Sequence, residues 1–262
     1  MFYQFKKNII RYVAKLIIFM PYTSLIKRRF PILYTFGMYL RVKYREPEMN
    51  LLPLFCNKSS NSIDIGVLWG AYTFRLLKLS KTCYSFEANP GQMKFLKKCF
   101  GNRAKLFNEA LSDHRGEAVL RVPDILGHST IEESNTLQNR NTREVVVKTN
   151  KLDNHNLKNI SFVKIDVEGH EPKVIDGMIN TIQREKPVLF IEICKEHNPK
   201  SFSYVKEKML NIGYLIYVYN NNNLIQPNNK IYNKHNIFIF IPEYKMRYLK
   251  NYKYINSIFK QS

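Results

Sequence analysis

Acid is missing from the start of this sequence. Residues 1–45 hold ten Lys/Arg and not one Asp or Glu, and residues 242–262 hold five basic residues against a single acid. The two ends therefore account for +14 of the net +20, and the middle is close to balanced. A basic groove running through the fold is excluded by that distribution; what it fits is a chain of ordinary charge with cationic ends. Cysteine is scarce and scattered: Cys56, Cys83, Cys99 and Cys194 form neither a CxxC nor a Cys/His cluster, so no zinc site and no other metal ligand set is read, and a reduced cytoplasmic compartment is expected. Long apolar runs are absent too. The longest near the start, Leu16 to Ile26, is interrupted by Pro21 and is shorter than the ~20 residues a membrane-spanning helix requires. No small-residue cleavage site follows it, which argues against a secretory signal. Neither GxGxxG nor GxxxxGK[ST] occurs, removing a nicotinamide-type fingerprint and a P-loop.

What remains is 262 residues with 45% hydrophobic content, including 17 Phe and 17 Tyr, enough for one sizeable packed domain. Up to Met20 the apolar positions Phe5, Ile9, Tyr12, Val13, Leu16 and Phe19 recur at helical spacing with Lys and Arg between them. Such a helix lies on an anionic membrane surface or packs on its own domain with a solvated basic face; periodicity does not choose. From residue 51 the chain alternates. Strands are read at 61–66, 82–87, 104–111, 161–166 and 187–193. Helices are read at 71–80, after the Asn89–Pro90 cap, from Pro172 with Val174, Ile175, Met178 and Ile182 inward, and at 203–213. Two further strands, 214–219 and 236–241, flank an Asn-rich turn and form a hairpin. Strand-like segments 116–123 and 143–149 interrupt the rhythm as an inserted hairpin. The order implies an α/β fold with a mostly parallel sheet, helices on both faces and an antiparallel pair at the end. Three segments follow: a basic extension (1–50), the main domain (51–242, with 116–150 inserted) and a basic aromatic tail (243–262).

Ligands of an open α/β sheet bind beyond the carboxyl ends of its strands. The first strand delivers Asp64 and the Gly66–Gly70 turn, where backbone amides can face a polar group. The second ends at Glu87, where one carboxylate can accept both hydroxyls of a ribose. The third ends near Asn108 and Ala110, and the fourth delivers Asp166, Glu168, His170 and Glu171. Crowded carboxylates raise one another's pKa, which suits a general base, although acids also gather at helix starts simply as caps. Clustered oxygens of this kind hold Mg²⁺ or Ca²⁺ in other proteins, but no spacing here compels a metal.

The segments DIGVLWGAYTFRL, YSFEANP, NEALSDHRGEAVLRVP, KTNKLDN and VKIDVEGHEPKVIDGM together resemble the FkbM family of S-adenosylmethionine-dependent methyltransferases, over about Ser62 to Ile193. The first motif departs from the usual pattern at Val67, Leu68 and Trp69, while Asp64 and both glycines stand. The resemblance implies a seven-stranded Rossmann-like sheet and S-adenosyl-L-methionine as cofactor. Its methionine part would lie on the Gly66–Gly70 turn near Asp64, its ribose on Glu87, and its adenine along Asn108 to Ala110. Asp166 would face the reacting methyl. It also implies methylation of a hydroxyl on a sugar or small molecule. Transfer to a hydroxyl is helped by a base: Asp166 or His170 would take the acceptor proton and Glu168 would orient it. Two other classes compete. A nucleic-acid methyltransferase is weakened by the location of the charge, and a glycan-assembly enzyme using a nucleotide sugar would want a D-x-D that DVE only echoes. A Lys/Asn/Ile-rich chain suggests an AT-rich bacterial genome. With the basic start, the expected partners are a glycan or small-molecule acceptor, such as a polysaccharide precursor, and an anionic membrane surface reached through residues 1–45.

Overall fold

The structure is a computed structural model describing residues 23–250 apart from 124–128, 134, 136–140, 195, 228–231 and 233. The amphipathic periodicity read up to Met20 and the last twelve residues lie outside it. Strands are β1 (Asn61–Ile65), β2 (Cys83–Phe86), β3 (Lys105–Phe107), β4 (Ala110–Leu111), β5 (Gly116–Pro123), β6 (Thr142–Asn150), β7 (Ile160–Ile165), β8 (Val188–Glu192), β9 (Tyr214–Asn220), β10 (Asn223–Ile225) and β11 (Ile237–Pro242). Helices are α1 (Thr23–Arg29), α2 (Pro31–Arg45), α3 (Leu52–Phe55), α4 (Ala71–Leu79), α5 (Pro90–Phe100), α6 (Glu171–Gly177), α7 (Ile179–Glu185), α8 (Ser201–Asn211) and α9 (Glu243–Lys250).

The main sheet runs β10-β9-β11-β8-β7-β1-β2-β3. β1 pairs in parallel with β2 on one side and β7 on the other, so the strand order reverses there and a crevice opens at their carboxyl ends. β11 is antiparallel to both β8 and β9, leaving β9 parallel to the central strands. The Rossmann-like α/β sheet is therefore present, with eight strands rather than the expected seven. The extra strand comes from the Asn-rich turn. Asn221 and Asn222 both adopt positive φ (48° and 65°), the backbone of a tight two-residue hairpin, and β10 folds back on β9.

Alternation explains the two cores. On β7, Phe162 faces α3 and α4 with Phe55, Phe190 and Tyr72, whereas Val163 and Ile165 face α6–α8 with Val174, Ile175, Met178 and Ile182. Phe162 and Phe190 meet edge-on at 5.0 Å with no exposed surface, and truncating either to Ala is expected to cost about 3–5 kcal/mol.

Two sequence expectations need correction. Residues 104–111 are not one strand. Asn108 donates its Nδ2 to the carbonyls of Glu87 (2.8 Å) and Ala88 (3.0 Å), which ends β3 and turns the chain. Ala110 and Leu111 then pair with Thr149 and Asn150 of β6, in a separate three-stranded sheet ordered β4-β6-β5. The helix from Pro172 likewise breaks at Met178 into α6 and α7. Close to that break, Gly177 lies so near the Ser112 carbonyl that a Cβ would stand 1.9 Å from its oxygen.

Candidate active site

The turn after β1 is shaped by contact with β7. Gly66 has φ +81°, and a Cβ there would lie 1.7 Å from the Asp166 carbonyl oxygen, so only glycine lets the two strand ends touch. The ladder continues past both strands, with Asp166 N–H donating to Ile65 O (3.0 Å) and Gly66 N–H to Phe86 O (3.0 Å). Leu68 then takes a left-handed conformation (φ 48°) that aims its N–H at Oε2 of Glu87, 2.9 Å away. Oε1 of the same carboxylate accepts the Asn89 N–H at 2.8 Å. Each oxygen of Glu87 thus keeps a lone pair for a ligand. Burial pushes this carboxyl above its ordinary pKa, against the pull of those two amides.

Glu87 lines one wall of a cavity enclosing about 690 Å³ of space, part of it continuous with solvent. Gly66 and Leu68 form its edge beside β1, and Asp166, Glu168 and His170 form the side beside β7. Ala110 and Leu111 line it from β4, and Leu120, Thr130 and Ile131 cover it from the inserted hairpin. The structure thus brings together six of the nine residues singled out in the sequence: Gly66, Glu87, Ala110, Asp166, Glu168 and His170. The other three stand behind the wall. Asp64 is buried and accepts the Thr73 hydroxyl at 2.6 Å; burial raises its pKa to about 6. Gly70 heads α4 against the Phe100 ring. Asn108 spends its amide on β2, as described above. Trp69 packs between Tyr34 and Phe95 and serves the core.

The acidic loop after β7 is heavily tied. Glu168 (φ 54°) and Gly169 (φ 104°) are both left-handed. The Glu168 carbonyl accepts Thr130 Oγ1 (2.9 Å) and Asn135 Nδ2 (2.8 Å), and its carboxylate sits 2.8 Å from His197 Nδ1, an ion pair that raises the histidine's pKa. His170 uses both ring nitrogens, Nδ1 toward Glu132 Oε2 and Nε2 toward Ser112 Oγ, each at 3.0 Å. Burial lowers its pKa, so the ring is neutral, donating from Nδ1 and accepting at Nε2. Glu171 points inward: its oxygens accept the Gly169 N–H and the Ser201 hydroxyl, both at 2.9 Å, and burial lifts its pKa to about 7. It holds the loop to α8, the capping role that acids at a helix start allow.

Asp166 differs from these neighbours. It lines the cavity, and its pKa is raised well above the ordinary value, first by burial and then by Glu192, with Lys164 pulling the other way. Lys164, 2% exposed, lies 3.3 Å from Glu192 Oε2 on the same face of β7 as Asp166. Burial opposes its charge, but Glu192, Asp166 and Glu46 keep it protonated.

Two lining residues were not singled out in the sequence: Glu109, though within the 108–110 stretch, and Gln92. Glu109 lines the cavity, with its carboxylate 2.7 Å from His155 Nε2; it falls between Asn108 and Ala110, and only the break of the 104–111 segment turns it inward. Gln92 lines the cavity from the first turn of α5 with a buried Nε2 that has no partner. Nothing in a helix heptad distinguishes it from a core-facing polar residue.

An adenosyl sulfonium cofactor fits these residues: a carboxylate with free lone pairs beside a glycine turn, an unpaired buried amide, and an apolar slot at Ala110, Leu111 and Leu120. When bound, such a cofactor supplies an electrophilic methyl carbon.

No curated protein matches the sequence. Among solved structures, similarity is found to a methyltransferase FkbM from Methylobacillus flagellatus KT (13% identity, 87% of this chain, TM-score 0.46), of whose length the match spans 60%. An rRNA methylase from Streptococcus thermophilus (14% identity, TM-score 0.45) is matched over 75% of this chain and 93% of its own. A Streptococcus mutans methyltransferase in complex with SAH (15% identity, TM-score 0.45) is matched over 75% and 94%. The family model for the methyltransferase FkbM domain matches residues 64–216, from the Asp64 strand to β9. The chain belongs to the FkbM methyltransferase family, whose cofactor is S-adenosylmethionine.

Proposed function

We propose that the protein transfers the methyl group of S-adenosylmethionine to a hydroxyl of a glycan or small-molecule acceptor, with Asp166 accepting the hydroxyl proton. The observation that carries this reading is that Glu87 and Asp166 line one cavity from opposite sides of the Gly66 turn. One carboxylate already has its shape fixed by two amides, as a ribose ligand requires. The other carries a raised pKa, as a base working near neutrality requires.

Glu87 holds the ribose hydroxyls. The Gly66–Gly70 turn carries the methionine part, with Asp64 buttressing it through Thr73. Asn108 and Ala110 fix the adenine edge, the first by clamping β2 and the second by direct contact. His170 is engaged at both nitrogens, which leaves it the part of holding the cavity roof through Glu132, while Glu168 orients the loop. In-line displacement asks mainly for alignment of the acceptor oxygen, and the crowded carboxylates complete it by removing the proton. Three buried thiols, Cys56, Cys83 and Cys99, and the partly buried Cys194 are all free, which fits a reducing cytoplasm. A nucleic-acid acceptor is disfavoured by Glu87, Glu109, Asp166 and Glu168 around the cavity, which repel phosphate.

Calorimetric titration with S-adenosylmethionine, its demethylated product and a uridine-diphosphate sugar tests the donor: tight binding of the first two alone is expected, and binding of the nucleotide sugar alone would reverse the assignment. With cofactor saturating, Asp166→Ala is expected to abolish turnover and His170→Ala to reduce it. Near-normal rates in both would end the proposal.

A further inference from the structure

Helix α2 is apolar on both of its long faces, and only one of them is covered. Tyr34 packs edge-on against Trp69 and Phe95 at 5.4 and 5.8 Å, and Tyr39 lies 5.4 Å from Phe74. On the other side Ile32 and Leu33 are 49% and 52% exposed, Phe36 is exposed beside them, and Leu25 and Phe30 are each 58% exposed. A groove runs between Phe30, Leu33 and Phe36 and is floored by Phe74. Single exposed apolar side chains are normal on a soluble surface; five within twelve residues, joined by a groove, form a patch that asks for an apolar partner.

The rim of that patch is cationic. The last turn of α1 is Lys27, Arg28 and Arg29. Lys27 and Arg28 also face Lys94 and Lys98 of α5 across a second, shallow groove. No acid occurs anywhere in residues 1–45, and the 22 residues leading into α1 add four more Lys/Arg. A second copy of this chain would bring two such rims together and be repelled. The partner must be apolar at its centre and negative at its surface. Among the described residues no helix is long and apolar enough to cross a membrane, and α1 and α2 expose this patch along their length as a surface-lying contact would.

We infer that the outer face of α1 and α2 docks on an anionic lipid bilayer, with Leu25, Phe30, Ile32, Leu33 and Phe36 entering the headgroup–acyl boundary and Arg28, Arg29, Lys94 and Lys98 meeting lipid phosphates. This goes beyond the methyl-transfer reading and does not rest on it: the patch shares no residue with the cavity at the strand ends. It places the domain at a membrane surface through folded helices packed on α4 and α5, and not only through the sequence that precedes them.

Flotation of the full-length protein with vesicles tests the inference. The chain is expected to rise with phosphatidylcholine vesicles that contain phosphatidylglycerol, to be released as salt is raised, and to stay behind with phosphatidylcholine alone. Replacing Ile32, Leu33 and Phe36 together by Ser is expected to lower the partition coefficient by about 10-fold or more. Arg28→Gln with Arg29→Gln is expected to lower it about fivefold per charge. Both variants should bind S-adenosylhomocysteine like the parent, which separates loss of docking from loss of the fold or of the cofactor site. The charge variant alters no apolar contact and still reports if the serine variant misfolds. Unchanged flotation of the folded variants would overturn the inference, since binding would then reside in residues 1–22. So would equal flotation without phosphatidylglycerol, or a serine variant that changes oligomeric state while binding vesicles normally.

Discussion

The backbone N–H of Leu68 donates to Oε2 of Glu87 at 2.9 Å, tying the turn after β1 to the acid that ends β2. The carboxylate is thereby set before any ligand arrives, and its position depends on a left-handed residue one strand away. Replacing Glu87 by Gln keeps the volume but removes the charge and turns one acceptor into a donor that faces the Leu68 or Asn89 N–H. Cofactor affinity is expected to fall by about 10- to 100-fold, as for loss of hydrogen bonds to a charged group, measured by calorimetry with S-adenosylhomocysteine.

Gly66→Ala introduces a Cβ 1.7 Å from the Asp166 carbonyl oxygen at a positive φ. Either β1 and β7 separate at their carboxyl ends or the turn refolds. We expect a loss of at least about 2 kcal/mol in stability together with loss of cofactor binding, read by chemical denaturation and titration. A variant that melts with the parent and binds normally would show that the strand ends are less rigidly apposed.

Asp166→Asn should separate catalysis from stability. Turnover is expected to drop by about 10²–10⁴-fold with cofactor affinity little changed. The folded-state pKa of Asp166 is raised, so ionising it at neutral pH opposes folding; the neutral Asn escapes that cost and should melt higher than the parent at pH 7. In the parent, turnover should rise with pH as Asp166 loses its proton.

Glu171 offers a pH signature free of catalysis. Its carboxyl is lifted by burial from 4.5 to about 7 in the folded state. A raised carboxyl pKa contributes stability that is fully present below the unfolded value and is lost as pH rises through the folded one. The parent should therefore lose stability between about pH 4.5 and 7, by up to about 3 kcal/mol from this group. Glu171→Gln should flatten that slope, leaving the part contributed by other buried carboxyls such as Glu48, also lifted by burial to about 7. Melting curves across the pH range decide it.

Much of the site was legible because apolar runs end in acids. Ile63–Asp64–Ile65–Gly66, Phe86–Glu87 and Ile165–Asp166 each mark the carboxyl end of a strand, and parallel order puts those ends side by side around the cavity. Tertiary contacts hid the rest. The break after Phe107 depends on Asn108 reaching β2, 20 residues back, and no local pattern encodes that. β10 hides in a run of asparagines whose positive φ angles make a tight turn, where composition alone suggests an open loop. Lys164 reads as the exposed position of an alternating strand, yet it is buried because Glu192 and Asp166 on adjoining positions supply the counter-charge. Asp64 looked like a ligand from its place at a strand end, but its carboxylate turns to Thr73 beneath the turn.

Thr130 and Asn135 both hold the carbonyl of Glu168, so the inserted hairpin and the acidic loop share a single anchor point. Any change to the hairpin is thereby passed to the loop that carries Glu168 and lies beside Asp166. Grafting a foreign hairpin tip would have to carry both donors along, or the Glu168 carbonyl would lose the two bonds that fix the left-handed turn at Glu168 and Gly169.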